Sequence, residues 1–314
     1  MSQVATNERP VVMGKIGAIF GVPAPEQATI AVRQASEFTP QVETHLFEEK
    51  LLKKLILWVS DSAPIRNMML VGGKGTGKTS TVLQFAARLG LDVYPISCSG
   101  KTRFADLVGT LTIAKDGSTV FQDGPLTKAY RNGGIFLANE ISRMDPGEQM
   151  RFVDVLDKNS TLTIPQTGET MKPHKDFRIA ATGNSGGFGD ESGAYAGERI
   201  GSSAFKDRFF TLEMNDISEE FEIKLVNGIL GNETIAKEMV GFARDVRKNY
   251  VGAGGAFRVD ISPRACLMWA SLASEYRRMK GVEALEEALN DVVLNGAPAE
   301  EQEAIRKLFK FGKK

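Results

Sequence analysis

The residues with the clearest chemical potential are Gly72-Gly73-Lys74-Gly75-Thr76-Gly77-Lys78-Thr79. They match the eight-residue pattern G-x-x-x-x-G-K-[ST] in full, with a short apolar strand before it and an amphipathic helix after it. The glycines let the backbone curl until its N–H groups point inward at phosphate oxygens. A helix that begins near Lys78 adds the partial positive charge of its N-terminus. Gly72, Gly73, Lys74, Gly75, Thr76, Gly77, Lys78, Thr79 and Ser80 are therefore the expected phosphate-binding residues. Within that set, the Lys78 ammonium neutralises the β- and γ-phosphates of ATP and the Thr79 hydroxyl is offered to Mg²⁺.

A phosphate loop of this kind needs a second strand that ends in an acid and holds the magnesium. The candidate is Gly134-Ile135-Phe136-Leu137-Ala138-Asn139-Glu140, apolar through the strand and polar at its C-terminal edge. Ligands of open α/β sheets bind at that edge. Position 139 is Asn where a carboxylate is expected. Two unit charges 4 Å apart at an effective dielectric of about 20 interact by about 4 kcal/mol, less through an intervening water. The loss weakens metal binding without abolishing it, because Mg²⁺ is held mostly by phosphate oxygens, waters and Thr79. Asn139 can still accept a hydrogen bond from a metal-bound water, so Thr79 and Asn139 are the expected metal-side residues. Glu140 is the natural group to orient or deprotonate an attacking water.

Strands alternating with helices must position these groups. Met68–Val71, Asp92–Ile96, Gly134–Ala138 and Arg178–Thr182 read as strands; Val82, Phe85, Ala86 and Leu89 mark one helix face, and Pro146–Asn159 reads as a helix. This pattern implies a parallel sheet covered on both faces. Two inserts break the rhythm. Thr110–Asp123 alternates around Asp116-Gly117, and Thr161–Met171 around Thr167-Gly168, both hairpin signals. From about Ser218 the pattern is helical, with candidates Ser218–Ile229, Glu233–Lys248, Pro263–Arg278, Val282–Leu294 and Pro298–Phe309. Residues 1 to about 45, with Pro10, Pro23, Pro25 and Pro40, read as an extended arm with little regular structure, followed by a helix over Glu48–Ser60. The expected division is 1–60 as arm and helix, 61–214 as the α/β core, and 215–314 as a helical lid.

Composition narrows the class. With 314 residues, 42% hydrophobic and 25% charged, the chain has material for a sizeable core and two domains, and is neither disordered nor fibrous. Thirty-nine basic and 39 acidic residues cancel, so no global charge draws it to nucleic acid or an acidic membrane. Cys98 and Cys266 are too few for a disulfide framework, and with only His45 and His174 beside them no zinc site can be read. No secretory signal and no apolar run of the ~18–20 residues needed to span a bilayer is evident. The expectation is a soluble, reduced, cytoplasmic protein. Trp58 and Trp269 read as packing residues, and Lys310, Lys313 and Lys314 as a solvated tail.

Several stretches resemble the AAA+ ATPases, and within them the MoxR-like group. Gly133–Pro146 (GGIFLANEISRMDP) is similar to that group's second nucleotide motif, Phe177–Asn184 (FRIAATGN) to its sensor-1 strand, and Ser262-Pro263-Arg264-Ala265 to its sensor-2 helix start. Ile16–Val22 (IGAIFGV), Phe121–Tyr130 (FQDGPLTKAY) and the glycine loop Gly186–Arg208 resemble the small, CobS-like ATPase subunits of aerobic cobaltochelatases. The similarity runs from about residue 15 to about 275, and Asn139 departs from the family's usual Asp.

The resemblance implies a ring, a hexamer, that binds ATP and Mg²⁺ between subunits and remodels a protein partner, one that can carry a metal-ion-dependent adhesion-type domain. It implies Asn184 as sensor 1, Arg208 as the arginine finger reaching a neighbouring subunit, and Arg264 as sensor 2. Arg199 competes for the finger role, and the alternative for Arg208 is an ordinary surface ion pair with Asp207 or Glu191. The two hairpins are expected to face the ring's pore and touch the partner; the alternative is passive decoration of the core. A ring assembled by nucleotide that hardly hydrolyses it is the rival reading, with Asn139 as its support. The neutral net charge and the lack of a DNA-binding module argue against a nucleic-acid motor.

Overall fold

The computed structural model describes residues 9–184, 202–215, 217–250, 254–255, 257–279 and 283–309. The expected glycine loop from 186 to 201, with Arg199, lies outside the described residues, as do Lys310, Lys313 and Lys314. Two compact units divide the chain. The first runs to Met214; the second runs from Asn215 onward and also takes in the short segment Gly73–Thr76.

The arm corrects one expectation. Val11–Lys15 (β1) pairs antiparallel with Thr29–Arg33 (β2), with the short helix Ile16–Phe20 (α1) between them. Pro10, Pro23, Pro25 and Pro40 all fall outside the two strands, so they punctuate the arm instead of preventing structure in it. The missed signal is the apolar, β-branched content of Val11-Val12-Met13 and Thr29–Arg33. Glu49–Val59 (α2) follows and buries Leu52, Leu55 and Trp58.

The core continues with Asn67–Val71 (β3), Lys78–Leu89 (α3), Val93–Ser97 (β4), Phe104–Val108 (α4), Gly109–Ile113 (β5), Thr119–Asp123 (β6), Pro125–Asn132 (α5) and Gly134–Asn139 (β7). After these come Pro146–Met150 (α6), Val153–Leu156 (α7), Leu162–Ile164 (β8), Glu169–Met171 (β9), Phe177–Gly183 (β10), Ser203–Lys206 (α8) and Phe210–Glu213 (β11). The sheet order is β11-β3-β10-β7-β4, parallel throughout. β11 is a fifth strand that sequence periodicity does not separate from the apolar pair Phe209-Phe210.

Alternation along the strands divides the core. Met68, Leu70, Ile135 and Leu137 face α2, α3 and the arm, burying Phe20, Phe47, Trp58 and Phe85 with them. Met69, Phe136, Ala138, Ile179 and Ala181 face the other way, toward Tyr130, Phe152 and Phe177. The two inserts are hairpins: β5 pairs with β6 and β8 with β9, each antiparallel.

The helix expected over Pro146–Asn159 is two short ones. The Gln149 amide donates to the carbonyls of Ile141 and Met144, which ties the first turn to the end of β7. Phe152 is then drawn fully into the core, and a new helix restarts at Val153.

The second unit is helical: Glu219–Leu230 (α9), Glu233–Lys248 (α10), Pro263–Tyr276 (α11), Ala284–Val292 (α12) and Ala299–Leu308 (α13). The side chains of Ser218, Asn232 and Ser262 accept the N-terminal N–H groups of α9, α10 and α11, which fixes where those helices begin. Trp269 is buried at the centre of this unit with Val240, Phe242 and Leu289. Among the described residues no helix is long and apolar enough to cross a membrane.

Candidate functional site

Three adjacent strands, β3, β10 and β7, bring their C-terminal ends together, with Gly183 opposite Val71 and Ala181 opposite Ala138 in register. Each strand hands over a different polar group at that edge. β3 leads into the glycine curl, β10 into Asn184, and β7 ends on Asn139 and leads into Glu140.

The curl depends on glycine where φ is positive. Gly75 and Gly77 sit at φ 83° and 87°, a region that L side chains rarely adopt. Gly77 caps α3 in this left-handed form, so the N–H groups of the helix's first turn open toward the curl. Thr76 closes the turn by donating to the carbonyl of Gly73 at 3.0 Å. Ser80 donates to the carbonyl of Gly77 at 3.0 Å, and Lys74 is exposed.

Lys78 reaches back across this edge. Its Nζ donates to the Gly72 carbonyl at 2.7 Å and to Asn184 Oδ1 at 3.1 Å. The next residue, Thr79, donates from Oγ1 to Asn139 Oδ1 at 2.7 Å. Lys78, Thr79, Asn139 and Asn184, expected from three separate motifs, thus pair across this edge, Lys78 with Asn184 and Thr79 with Asn139.

Glu140 is the one non-glycine residue with positive φ among the described residues, at 55°. Such a backbone costs roughly 1–2 kcal/mol. The surroundings hold it. Its N–H donates to Thr182 Oγ1 at 3.0 Å, and its carboxylate accepts from Arg143 Nη1 at 2.7 Å. Arg143 and Thr182 are the residues that sequence reasoning missed. The signal for Arg143 was its place three residues after Glu140, a spacing that lets the two meet within one turn. Burial pushes the nearby Cys98 thiol up to about 12, with the Glu140 charge adding to it, so this thiol stays protonated.

Arg208 and Arg264 complete the expected set. Arg208 Nε donates to Asp157 Oδ1 at 2.7 Å, and its Nη1 to the Ala204 carbonyl. Among the described residues its ion-pair partner is Asp157, not the neighbouring Asp207; Glu191 lies outside the described residues. Arg264 stands exposed on the first turn of α11, in the second unit.

The donor set suits a phosphate-held magnesium ion. Thr79 and Asn139 present two neutral oxygens, which fit the water shell of an ion whose charge is met by phosphate. Among the described residues no group of three or more His, Cys, Asp or Glu could hold a metal alone.

Comparison with known proteins agrees with this geometry. A family model described as the AAA domain (dynein-related subfamily) matches residues 67–209. The aerobic cobaltochelatase subunit CobS of Sinorhizobium sp is 30% identical over 219 residues, covering 66% of this chain and 65% of that protein, just under two thirds of its length. The denitrification regulatory protein NirQ of Pseudomonas aeruginosa is 30% identical over 183 residues, covering 58% of this chain and 67% of that one. A RuvB variant of Thermotoga maritima superposes with a TM-score of 0.51 at 12% identity, covering 81% of this chain and 73% of that one, which speaks to the fold alone. A phosphate-loop curl at the edge of a five-stranded parallel sheet, together with these relatives, establishes that the chain belongs to the MoxR-like AAA+ family.

Proposed function

We propose that this chain is a cytoplasmic ATPase that binds ATP and Mg²⁺ between adjoining copies in a ring, a hexamer, and uses binding and hydrolysis to remodel or activate a protein partner. The observation that carries the reading is the convergence of Lys78, Thr79, Asn139 and Asn184 at one sheet edge, beside a helix N-terminus opened by Gly77. In this role Lys78 exchanges the Gly72 carbonyl for β- and γ-phosphate oxygens. Thr79 and Asn139 hold the ion and its waters, and Asn184 orients the γ-phosphate or the attacking water. Mg²⁺, when bound, neutralises charge on the phosphates. Glu140 takes the proton of the attacking water, Arg208 reaches the neighbouring copy's site, and Arg264 reports nucleotide state from the helical residues 215–314 as they shift against 61–214.

Similarity to the cobaltochelatase subunit supports a partner that inserts a metal, and similarity to the denitrification regulatory protein supports a regulatory role. A second reading, a nucleotide-gated scaffold with weak hydrolysis, is favoured by Asn139 and by the Glu140–Arg143 ion pair, which occupies the carboxylate needed as base. Calorimetry with ATP and Mg²⁺ tests the common core of both. Lys78→Ala should lose binding severely, because it removes charge-assisted contacts worth about 1.5–3 kcal/mol each. Unchanged affinity in that variant contradicts the phosphate-loop assignment. Turnover by the wild-type ring then separates the ATPase from the scaffold.

A further inference from the structure

The two hairpins share one side chain, that of Arg131, which lies between them in the chain, 38 residues before Glu169. Arg131, in the last turn of α5, donates from Nε to Asp123 Oδ2 at 3.0 Å, at the foot of the first hairpin. From Nη1 and Nη2 it donates to Glu169 Oε1 at 2.7 Å and Oε2 at 3.0 Å, at the start of β9 in the second. The backbone adds to the junction. The Gly124 N–H and the buried Thr127 hydroxyl both donate to the Val108 carbonyl, which fixes the root of β5 on α5. The His174 N–H donates to the Tyr130 carbonyl, which fixes the chain leaving β9 on the same helix. Two residues beyond Asn132, β7 begins; it ends on Asn139, and Glu140 follows.

We propose that Arg131 is a positioning residue, a strut that makes the two hairpins one rigid arm mounted on α5. Exposed ion pairs add little to stability, so the effect is geometric. A planar guanidinium that serves one carboxylate with two parallel bonds and a second through Nε fixes both distance and angle, which a lysine's point charge does not. Under the function proposed above, on which this last step rests, movement of β7 reaches both hairpins together.

The experiment places cysteines at the two tips, Lys115→Cys and Gln166→Cys, both exposed, and spin-labels them; native Cys98 and Cys266 are buried and resist the label. Pulsed electron resonance then reads the tip-to-tip distance without nucleotide, so the result does not depend on ATP binding. A single narrow distribution is expected in the parent. It should broaden in Arg131→Gln, broaden partly in Arg131→Lys, and broaden in Glu169→Gln, which spares α5 and so remains informative if Arg131→Gln fails to fold. An unchanged distribution in Glu169→Gln overturns the strut. Hydrogen exchange with and without ATP tests the coupled motion. Changes in both hairpins of the wild type, confined to one in Glu169→Gln, support it; changes kept in both hairpins of Glu169→Gln overturn it. No change in the wild type counts against the ATP reading instead.

Discussion

Thr79 and Asn139 meet side chain to side chain, hydroxyl to amide oxygen, at 2.7 Å. The contact joins the helix that follows the glycine curl to the end of β7, and it does so without a formal charge. That is the structural form of the departure visible at position 139.

Asn139→Asp should therefore lower the Mg²⁺ concentration needed for half-maximal ATP turnover. Through one intervening water the gain is about 1–2 kcal/mol, roughly a tenfold shift in the Mg²⁺ requirement. The turnover rate should rise with it. A Mg²⁺ titration of steady-state hydrolysis reads both, and an unchanged or lower rate at saturating Mg²⁺ removes the missing charge as the limiting factor.

Arg208→Ala and Glu140→Gln should each be nearly inactive, since a finger arginine supplied in trans is worth roughly 10³–10⁵ in rate. Mixed rings should recover part of the activity, because some interfaces then carry an intact Glu140 facing an intact Arg208. Absence of rescue at every mixing ratio leaves Arg208 in its role of pairing with Asp157.

Arg178 carries a prediction about stability. It is buried in β10 and spends its guanidinium on the carbonyls of Trp58, Val59, Ser60, Lys175 and Phe177. Three of these belong to the C-terminal end of α2, where the helix leaves carbonyls unpaired and carries partial negative charge. Burial pulls the Arg178 pKa down, yet among the described residues its hydrogen bonds all go to carbonyls; the helix end takes the place of a carboxylate. Arg178→Met should cost about 3 kcal/mol in chemical denaturation, because it orphans buried carbonyls. A loss below about 0.5 kcal/mol, the size of an ordinary surface change, contradicts this account.

His45 sets a pH dependence. Burial, with the Arg88 charge adding to it, lowers its pKa from 6.5 to about 4. Between those values the unfolded chain binds the proton and the folded chain does not, so stability is full above about pH 6.5 and falls as pH drops toward about 4. The loss attributable to this group is about 1–3 kcal/mol. Denaturation midpoints at pH 7.5 and pH 5 should converge in His45→Gln relative to wild type. An equal drop in both proteins assigns the acid sensitivity to other groups.

The sequence alone carried what depends on local rules. Gly72–Thr79 was legible because its glycines and lysine must occupy fixed positions for the backbone to curl, and the structure keeps Gly75 and Gly77 at positive φ as that curl demands. The hairpins at Asp116-Gly117 and Thr167-Gly168 and the helices from Ser218 onward were legible for the same reason, since turn residues and period act over a few positions. Tertiary structure alone decided which partners the charged side chains take. Arg208 on Asp157 and Arg131 on Glu169 follow from the tertiary fold, which brings together residues that no local spacing connects, whereas Arg143 on Glu140 is a contact within one turn. The arm's β1–β2 pair was hidden for a related reason: strand pairing is a long-range contact, and neither strand reveals its partner by itself.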